Sequence, residues 1–265
     1  MKFTIPALIL AIVPAGAATL TGLWEFNNSS NPGQATVGSN LTFAGSAPGT
    51  WSASLADDSS TPLTGVVTTA VGPANIIYAD HGIAANGGGA LVNEWSVLVD
   101  IYSPAGSRGA WRSIFQTHTG NINDGDYFVS RTDTVGVGDI TYSPGVIDET
   151  KWTRLLITID LAPSGASDIR AYVNGSLFHT HTLTGGLDGR FALGSTLLFF
   201  SDESGENAPM HVGAIAMWDG ALTAGEAAGL GTAGAAVIPE SSTSVAGASA
   251  LLFAAMRRRR QARKP

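Results

Sequence analysis

The sequence predicts an all-β protein, a jelly-roll sandwich of two packed antiparallel sheets with one short helix near the C-terminus. Three observations predict it. Apolar and polar residues alternate in short runs with the period of a half-buried strand, as in Trp95, Val97, Val99 and Ile101 against Ser96, Leu98 and Asp100. Turn formers separate the runs, with 33 Gly and 12 Pro in 265 residues, while charged residues make up only 13%. Helix signals are scarce, and the clearest is the capping-box spacing Thr223-Ala224-Gly225-Glu226.

From Asn27 to Pro73 the chain is rich in Ser, Thr, Gly, Asn and Pro, with brief apolar pieces at Leu23 to Phe26, Leu41 to Phe43 and Val66 to Val71. Edge strands and long loops are expected there, and the polar tract Asp57 to Thr61 reads as a solvated loop. Past Ile76 the pattern is regular. The Trp95 strand is followed by Trp111 to Gln116, Tyr127 to Arg131 and Val135 to Tyr142, each bounded by turn residues, which implies a meander. Leu155, Ile157 and Ile159 form one apolar row; Ile169, Ala171 and Val173 form another that ends at Asn174-Gly175, the preferred two-residue hairpin turn, from which Leu177 to Leu183 returns. A last pair, Thr196 to Phe200 and Met210 to Trp218, is joined by the acidic loop Asp202 to Pro209.

The ends read differently. Lys2, the apolar run Ile5 to Val13 and the small residues Ala15 to Ala18 form a signal peptide, cut by signal peptidase after Ala17 or Ala18; the run is too short to span a bilayer. At the other end come Pro239-Glu240-Ser241-Ser242-Thr243, the apolar stretch Val245 to Met256 and the cluster Arg257, Arg258, Arg259 and Arg260. That order suits transient membrane insertion with the basic end in the cytoplasm and the domain outside. The expected organisation is thus signal peptide 1–18, sandwich 19–237 and sorting segment 238–265. Six of the fourteen basic residues lie in the last nine positions, so the formal charge of −7 understates how acidic the folded part is. Such a surface repels phosphate backbones and excludes nucleic acid as a partner, while it attracts divalent cations. With no cysteine, disulfides, thiol catalysis and thiolate metal sites are excluded together.

The C-terminal segment resembles the PEP-CTERM sorting signal of exported bacterial proteins, with Ser241 where a second proline is usual. The resemblance implies recognition by an exosortase and placement at the cell surface or in extracellular matrix. The stretches Trp152 to Asp160, Ala171-Tyr172-Val173-Asn174-Gly175 and Val212 to Trp218 leading to Ala221-Leu222-Thr223, with Gly22 to Phe26 at the start, resemble laminin-G-like domains of the concanavalin A-like lectin/glucanase superfamily. That resemblance implies a sandwich with a concave face or rim loops that bind glycan or calcium.

For chemistry, the paired-glutamate pattern of the superfamily's glycan hydrolases is absent, since none of the chain's glutamates has that spacing. A non-catalytic protein binding extracellular polysaccharide or another matrix component is expected; a glycan-active hydrolase or lyase and a purely structural adhesion module are the alternatives. Two acidic loops, Asn121 to Asp126 with Asp124 and Asp126, and Asp202 to Asn207 with Glu203 and Glu206, carry oxygen ligands of the kind Ca2+ takes, although solvated turns explain them as well. Trp51, Trp111, Tyr127 and Tyr142 lie in or beside loops and are the candidates to stack on sugar rings, whereas Trp95, Trp152 and Trp218 are assigned to the core. His179 and His181 have a spacing compatible with a transition metal, but two ligands are too few and the exposed face of a hairpin is the better reading.

Overall fold

A computed structural model describes residues 18–45, 49–72, 74–118, 125–138, 140–161, 168–183, 186–202 and 204–237. In chain order the strands are β1 (Leu20–Trp24), β2 (Thr42–Phe43), β3 (Gly49–Ala56), β4 (Pro62–Thr69), β5 (Ile77–Asp80), β6 (Glu94–Tyr102), β7 (Arg112–Gln116), β8 (Asp126–Val129), β9 (Val135–Val137), β10 (Thr141–Tyr142), β11 (Thr153–Asp160), β12 (Asp168–Val173), β13 (Ser176–Thr182), β14 (Thr196–Phe199) and β15 (His211–Trp218). They form two antiparallel sheets. One has the order β13-β12-β11-β6-β15-β4-β3, with β1 also on β15; the other runs β10-β9-β8-β7-β14-β5-β2. The helix α1 spans Ala224–Leu230, and Thr223 caps it through the reciprocal bonds with Glu226 that its spacing predicts.

Between the sheets lies the main core, where Trp95, Val97 and Val99 of β6 meet Ile114 and Phe115 of β7, and Leu197 and Phe199 of β14. Trp95 and Phe115 pack edge-on with ring centroids 5.2 Å apart. The outer face of the first sheet is also covered. Leu98, Leu156, Tyr172 and Trp218 point to that side and are buried by Leu222, Ala227, Leu230 and Val237, so α1 and the strap after it close a second core. This is why β11 is buried at all but its last position, although an antiparallel sheet can leave one face to water.

A strand buried on both faces must satisfy its polar side chains internally. On β6 the outward Ser96 donates to Gly220 O (2.7 Å) and accepts from Leu222 N (2.9 Å). Asp100 receives Arg154 Nε at 2.7 Å and Nη2 at 2.8 Å, and both side chains are about 1% exposed. Arg154 also donates to Leu230 O (2.5 Å) and Ala235 O (2.8 Å), while Gly234 N donates to Asp100 (2.9 Å). One ion pair thereby ties the central strands to the end of α1 and to the strap.

Several expectations need correction. The segment read as edge strands and long loops does supply edge strands, β2 and β3 each ending a sheet, but it is more regular than expected: β3 and β4 form an eight-residue pair in unbroken register from Gly49↔Thr69 to Ala56↔Pro62. Its alternation is masked by Ser, Thr and Gly on the solvent side. Asp57 in the tip of that hairpin is buried at 7% exposure instead of solvated, because its carboxylate accepts from Ser59 N, Thr61 N and, across the sheet, Trp152 N. Those bonds hold its pKa below the usual carboxylate range against the opposing effect of burial. The meander holds for β7 to β10, but β6 lies in the other sheet, and so do β15 and β14 relative to each other; the loop Asp202 to Pro209 is a crossing between sheets rather than a hairpin. The Asn174-Gly175 turn forms as expected, with φ of 49° and 79° at the two positions.

Removing one member of the buried pair strands the other charge, so Asp100→Ala or Arg154→Ala alone is expected to cost about 3–5 kcal/mol in urea unfolding. An Asp100→Leu/Arg154→Met double variant is expected to recover most of that loss.

Candidate functional site

An opening of about 520 Å³ lies on the rim where the start of β6 meets the loop before β14. Its walls are Leu91 on one side, Thr117 and His118 at the end of β7, and Asp188, Arg190, Ser195 and Thr196 from the connecting loop. The walls are fixed by cross-bonding between loops distant in sequence. Val92 and Leu193 exchange backbone bonds of 3.0 and 2.9 Å, and Trp95 Nε1 donates to Phe191 O at 3.0 Å. Asp188 accepts from Ala90 N and Leu91 N at 2.8 Å each and from Asn93 Nδ2 at 2.9 Å. The backbone bond from Ala90, with those from Asn93 and Leu91, holds its pKa below the carboxylate range, so this charge is spent on loop structure. Thr117 Oγ1 donates to Arg190 O (2.5 Å) and accepts from Gly125 N (2.7 Å). What faces the opening is therefore a rigid polar floor beside the exposed Leu91, 36% accessible.

The predicted residues are distributed unevenly. Asp124 and Glu203 lie outside the described residues, as do the signal segment and Pro239, Glu240, Ser241 and Arg257 to Arg260. Of the two acidic loops, Asp126 is the register partner of Gln116 on β8, and Gln116 Nε2 donates to Asp202 Oδ1 at 3.1 Å. Asp202 itself is 3% exposed, and its other oxygen accepts from Ser204 N (2.7 Å) and Glu206 N (3.1 Å), closing its loop. Glu206 contributes its carbonyl to Ser113 N at 3.0 Å. Asp126 lies 3.6 Å from Arg190 Nη2. Among the described residues, no three His, Asp or Glu side chains are grouped to hold a metal ion.

Of the four aromatic candidates, Trp111 and Tyr142 stand together, centroids 5.5 Å apart and both half-buried, with Phe128 edge-on to Trp111 at 6.1 Å. Trp51 is turned inward, packing on the main core and donating Nε1 to Phe26 O at 2.7 Å. Tyr127 is fully buried and stacks on Phe115, so it presents nothing to a ligand; it is an inward residue of β8, not a loop residue. The histidine reading is corrected too. Pairing with Ile169 and Ala171 places His181 and His179 on the inner side of β13, with His181 1% exposed and its Nε2 3.1 Å from the Tyr127 hydroxyl.

On the opposite rim the fold brings together the carboxyls of Glu149 and Asp133. Arg112, wholly buried, reaches both, with Nη1 2.8 Å from Glu149 and Nη2 2.5 Å from Asp133. Burial, and then the hydrogen bond that a protonated Glu149 donates to Asp133, push the Glu149 pKa up against the pull of Arg112. Carboxyls in hydrogen-bond contact are closer than the roughly 5 Å gap that a glycosidase acid and nucleophile need around a sugar.

No protein-family model matches the chain, and no curated protein matches it. Solved structures do. The binding domain of botulinum neurotoxin DC in complex with rat synaptotagmin II matches over 80% of this chain and 50% of its own, at 13% identity and a TM-score of 0.53. A botulinum neurotoxin type C structure, described by dependence on interaction with two ganglioside molecules, matches over 80% and 50%, at 12% identity and 0.51. The receptor-binding domain of botulinum neurotoxin D matches over 79% and 51%, at 14% and 0.50. The match spans about half the length of each neurotoxin chain. These likenesses establish the β-sandwich fold.

The buried histidines make stability depend on pH. Burial, and secondarily His179, lowers the pKa of His181 to about 4, and burial lowers those of His81 and His211 as well. Folded His181 stays neutral while the unfolded chain takes up its proton near pH 6.5, so its contribution is complete above that pH and is lost as the pH falls toward 4. The expected loss from His181 is about 3 kcal/mol. Urea midpoints measured between pH 7 and 4 should show it, and His181→Gln, which still meets Tyr127, should flatten that part of the slope.

Proposed function

We propose that this chain is an exported, non-catalytic protein of the cell surface or extracellular matrix whose sandwich binds carbohydrate, or another neutral matrix component, in the rim opening beside β6 and β14. The observation that carries the reading is the opening itself. Its walls are braced by backbone and carboxylate bonds, so little ordering remains to oppose binding. It offers hydroxyl, imidazole and guanidinium groups next to exposed Leu91, a mixture suited to a ligand with polar edges and apolar ring faces. The Trp111/Tyr142 pair is a second surface on which a longer glycan would stack.

Export by a signal peptide and sorting by an exosortase complete the proposal and rest on the terminal residues alone. Calcium belongs to it as well. Asp126 and Asp202 meet at Gln116, whose Oε1 is buried and accepts no hydrogen bond, and a Ca2+ ion taking carbonyl and carboxylate oxygens would satisfy it.

Retention of the full chain on a panel of insoluble neutral and acidic polysaccharides tests the binding. A β-carbon at Gly194, which lines the opening, meets nothing within 4 Å, so Gly194→Trp fills the opening without entering the core. The expected result is saturable retention that Gly194→Trp weakens at least tenfold with an unchanged unfolding midpoint. Wild-type protein retained by no polysaccharide would sink the carbohydrate reading in favour of a structural module, and release of reducing sugar would overturn the non-catalytic one. A thermal midpoint indifferent to Ca2+ and chelator would remove the ion.

A further inference from the structure

We infer that His179 and His181 form a two-nitrogen chelate for a transition-metal ion of tetragonal preference, Cu2+ above all, on the inner side of β13. Their rings are neighbours at 4.4 Å between centroids and 87° between planes. His179 Nε2 and His181 Nδ1 are both buried and make no hydrogen bond, which is an unusual state for two adjacent ring nitrogens.

The spacing of the rings suits the ion. Imidazole nitrogens sit about 2.0 Å from such a metal, and two rings bound at right angles then have centroids about 4.4 Å apart, whereas a tetrahedral angle would separate them by about 5.1 Å. A right angle between neighbouring ligands is the tetragonal arrangement that Cu2+ and Ni2+ favour. Water fills the remaining positions, and His179, only half-buried, marks the side from which solvent and ion arrive.

The surroundings prepare the site. His181 Nε2 lies 3.1 Å from the Tyr127 oxygen, and the chelate requires the tautomer in which Nε2 donates that bond and Nδ1 keeps the lone pair, the ring then being held by a partner outside the coordination sphere. Gly136 of β9 lies against this ring: a β-carbon there would stand 2.3 Å from Thr141 O and 3.0 Å from His181 Cε1, so the ring packs where only glycine leaves room.

Titration of the full chain with CuCl2 and with ZnCl2, followed by fluorescence and by electron paramagnetic resonance, tests the inference. One Cu2+ per chain is expected, with hyperfine structure from two equivalent-type nitrogens and tighter binding than Zn2+. His179→Gln, whose fold is checked by circular dichroism, should weaken Cu2+ at least tenfold, while His118→Gln, at the rim, should not. Equal Cu2+ affinity of wild type and His179→Gln would overturn the site, as would the absence of saturable uptake. Tighter Zn2+ than Cu2+ would overturn the tetragonal assignment.

Discussion

The ion pair between Asp100 and Arg154 is the constraint from which the rest of the architecture follows. A carboxylate on the outer side of the central strand β6 could face water only if the sheet were covered on one side. Here the outer side carries Leu98, Leu156, Tyr172 and Trp218, whose burial is worth roughly 1.5–3 kcal/mol for each large side chain, and covering them takes Asp100 out of water as well. Arg154 neutralises it with two parallel bonds, and its remaining donors are met by the carbonyls of Leu230 and Ala235. The helix and the strap are therefore parts of the core of this sandwich. An apolar pair would fill the same space, but it would not specify where the last turn of α1 and the strap must lie, which the directed bonds of a guanidinium do.

The opposite sheet is organised by different means. Its edge strands β2 and β10 are two residues each, so it ends in little free backbone, and its inner surface is built from aromatic and aliphatic residues of β7, β8 and β14. Loops rather than a helix cover its outer side. Asp202 and Asp188 play related parts there: each carboxylate accepts from backbone N–H groups, the buried Asp202 closing its own loop and the exposed Asp188 tying its turn to Ala90 and Leu91, and each borders a surface where a ligand is proposed.

Much of this was legible in the sequence, and the parts that were not share a physical cause. Strands with a strong two-residue alternation, such as Trp95 to Ile101 and Leu155 to Ile159, were readable because their inner rows are uniformly large and apolar. The hairpin of β3 and β4 was not, since its pattern is written in Ser, Thr, Gly and Ala. The choice of sheet for β14 and β15 was hidden for another reason: a crossing loop and a hairpin loop of the same composition look alike. For the candidate site the legible features were residue types, and the illegible one was direction. His179 and His181 share a face by their spacing alone, but only pairing with β12 decides that the face is the inner one. Asp188, Arg190 and Ser195 carried no signal beyond a glycine-rich turn, because their role depends on Leu91 and Asn93, about a hundred positions earlier.

The strap has a consequence for how the domain would bear load. Ala18 at one end of the described chain and Val237 at the other pack into the same cluster on the outer side of the first sheet. Tension applied at Val237 is delivered first to the strap and meets the Arg154 bonds to Ala235 and Leu230 before it reaches β15. That strand is held on both sides, by β6 along its length and by β1 and β4 in turn. The strap and α1 thus act as a mechanical fuse: a pull at this end peels away the second core while the two sheets, and the opening on the far rim, keep their shape.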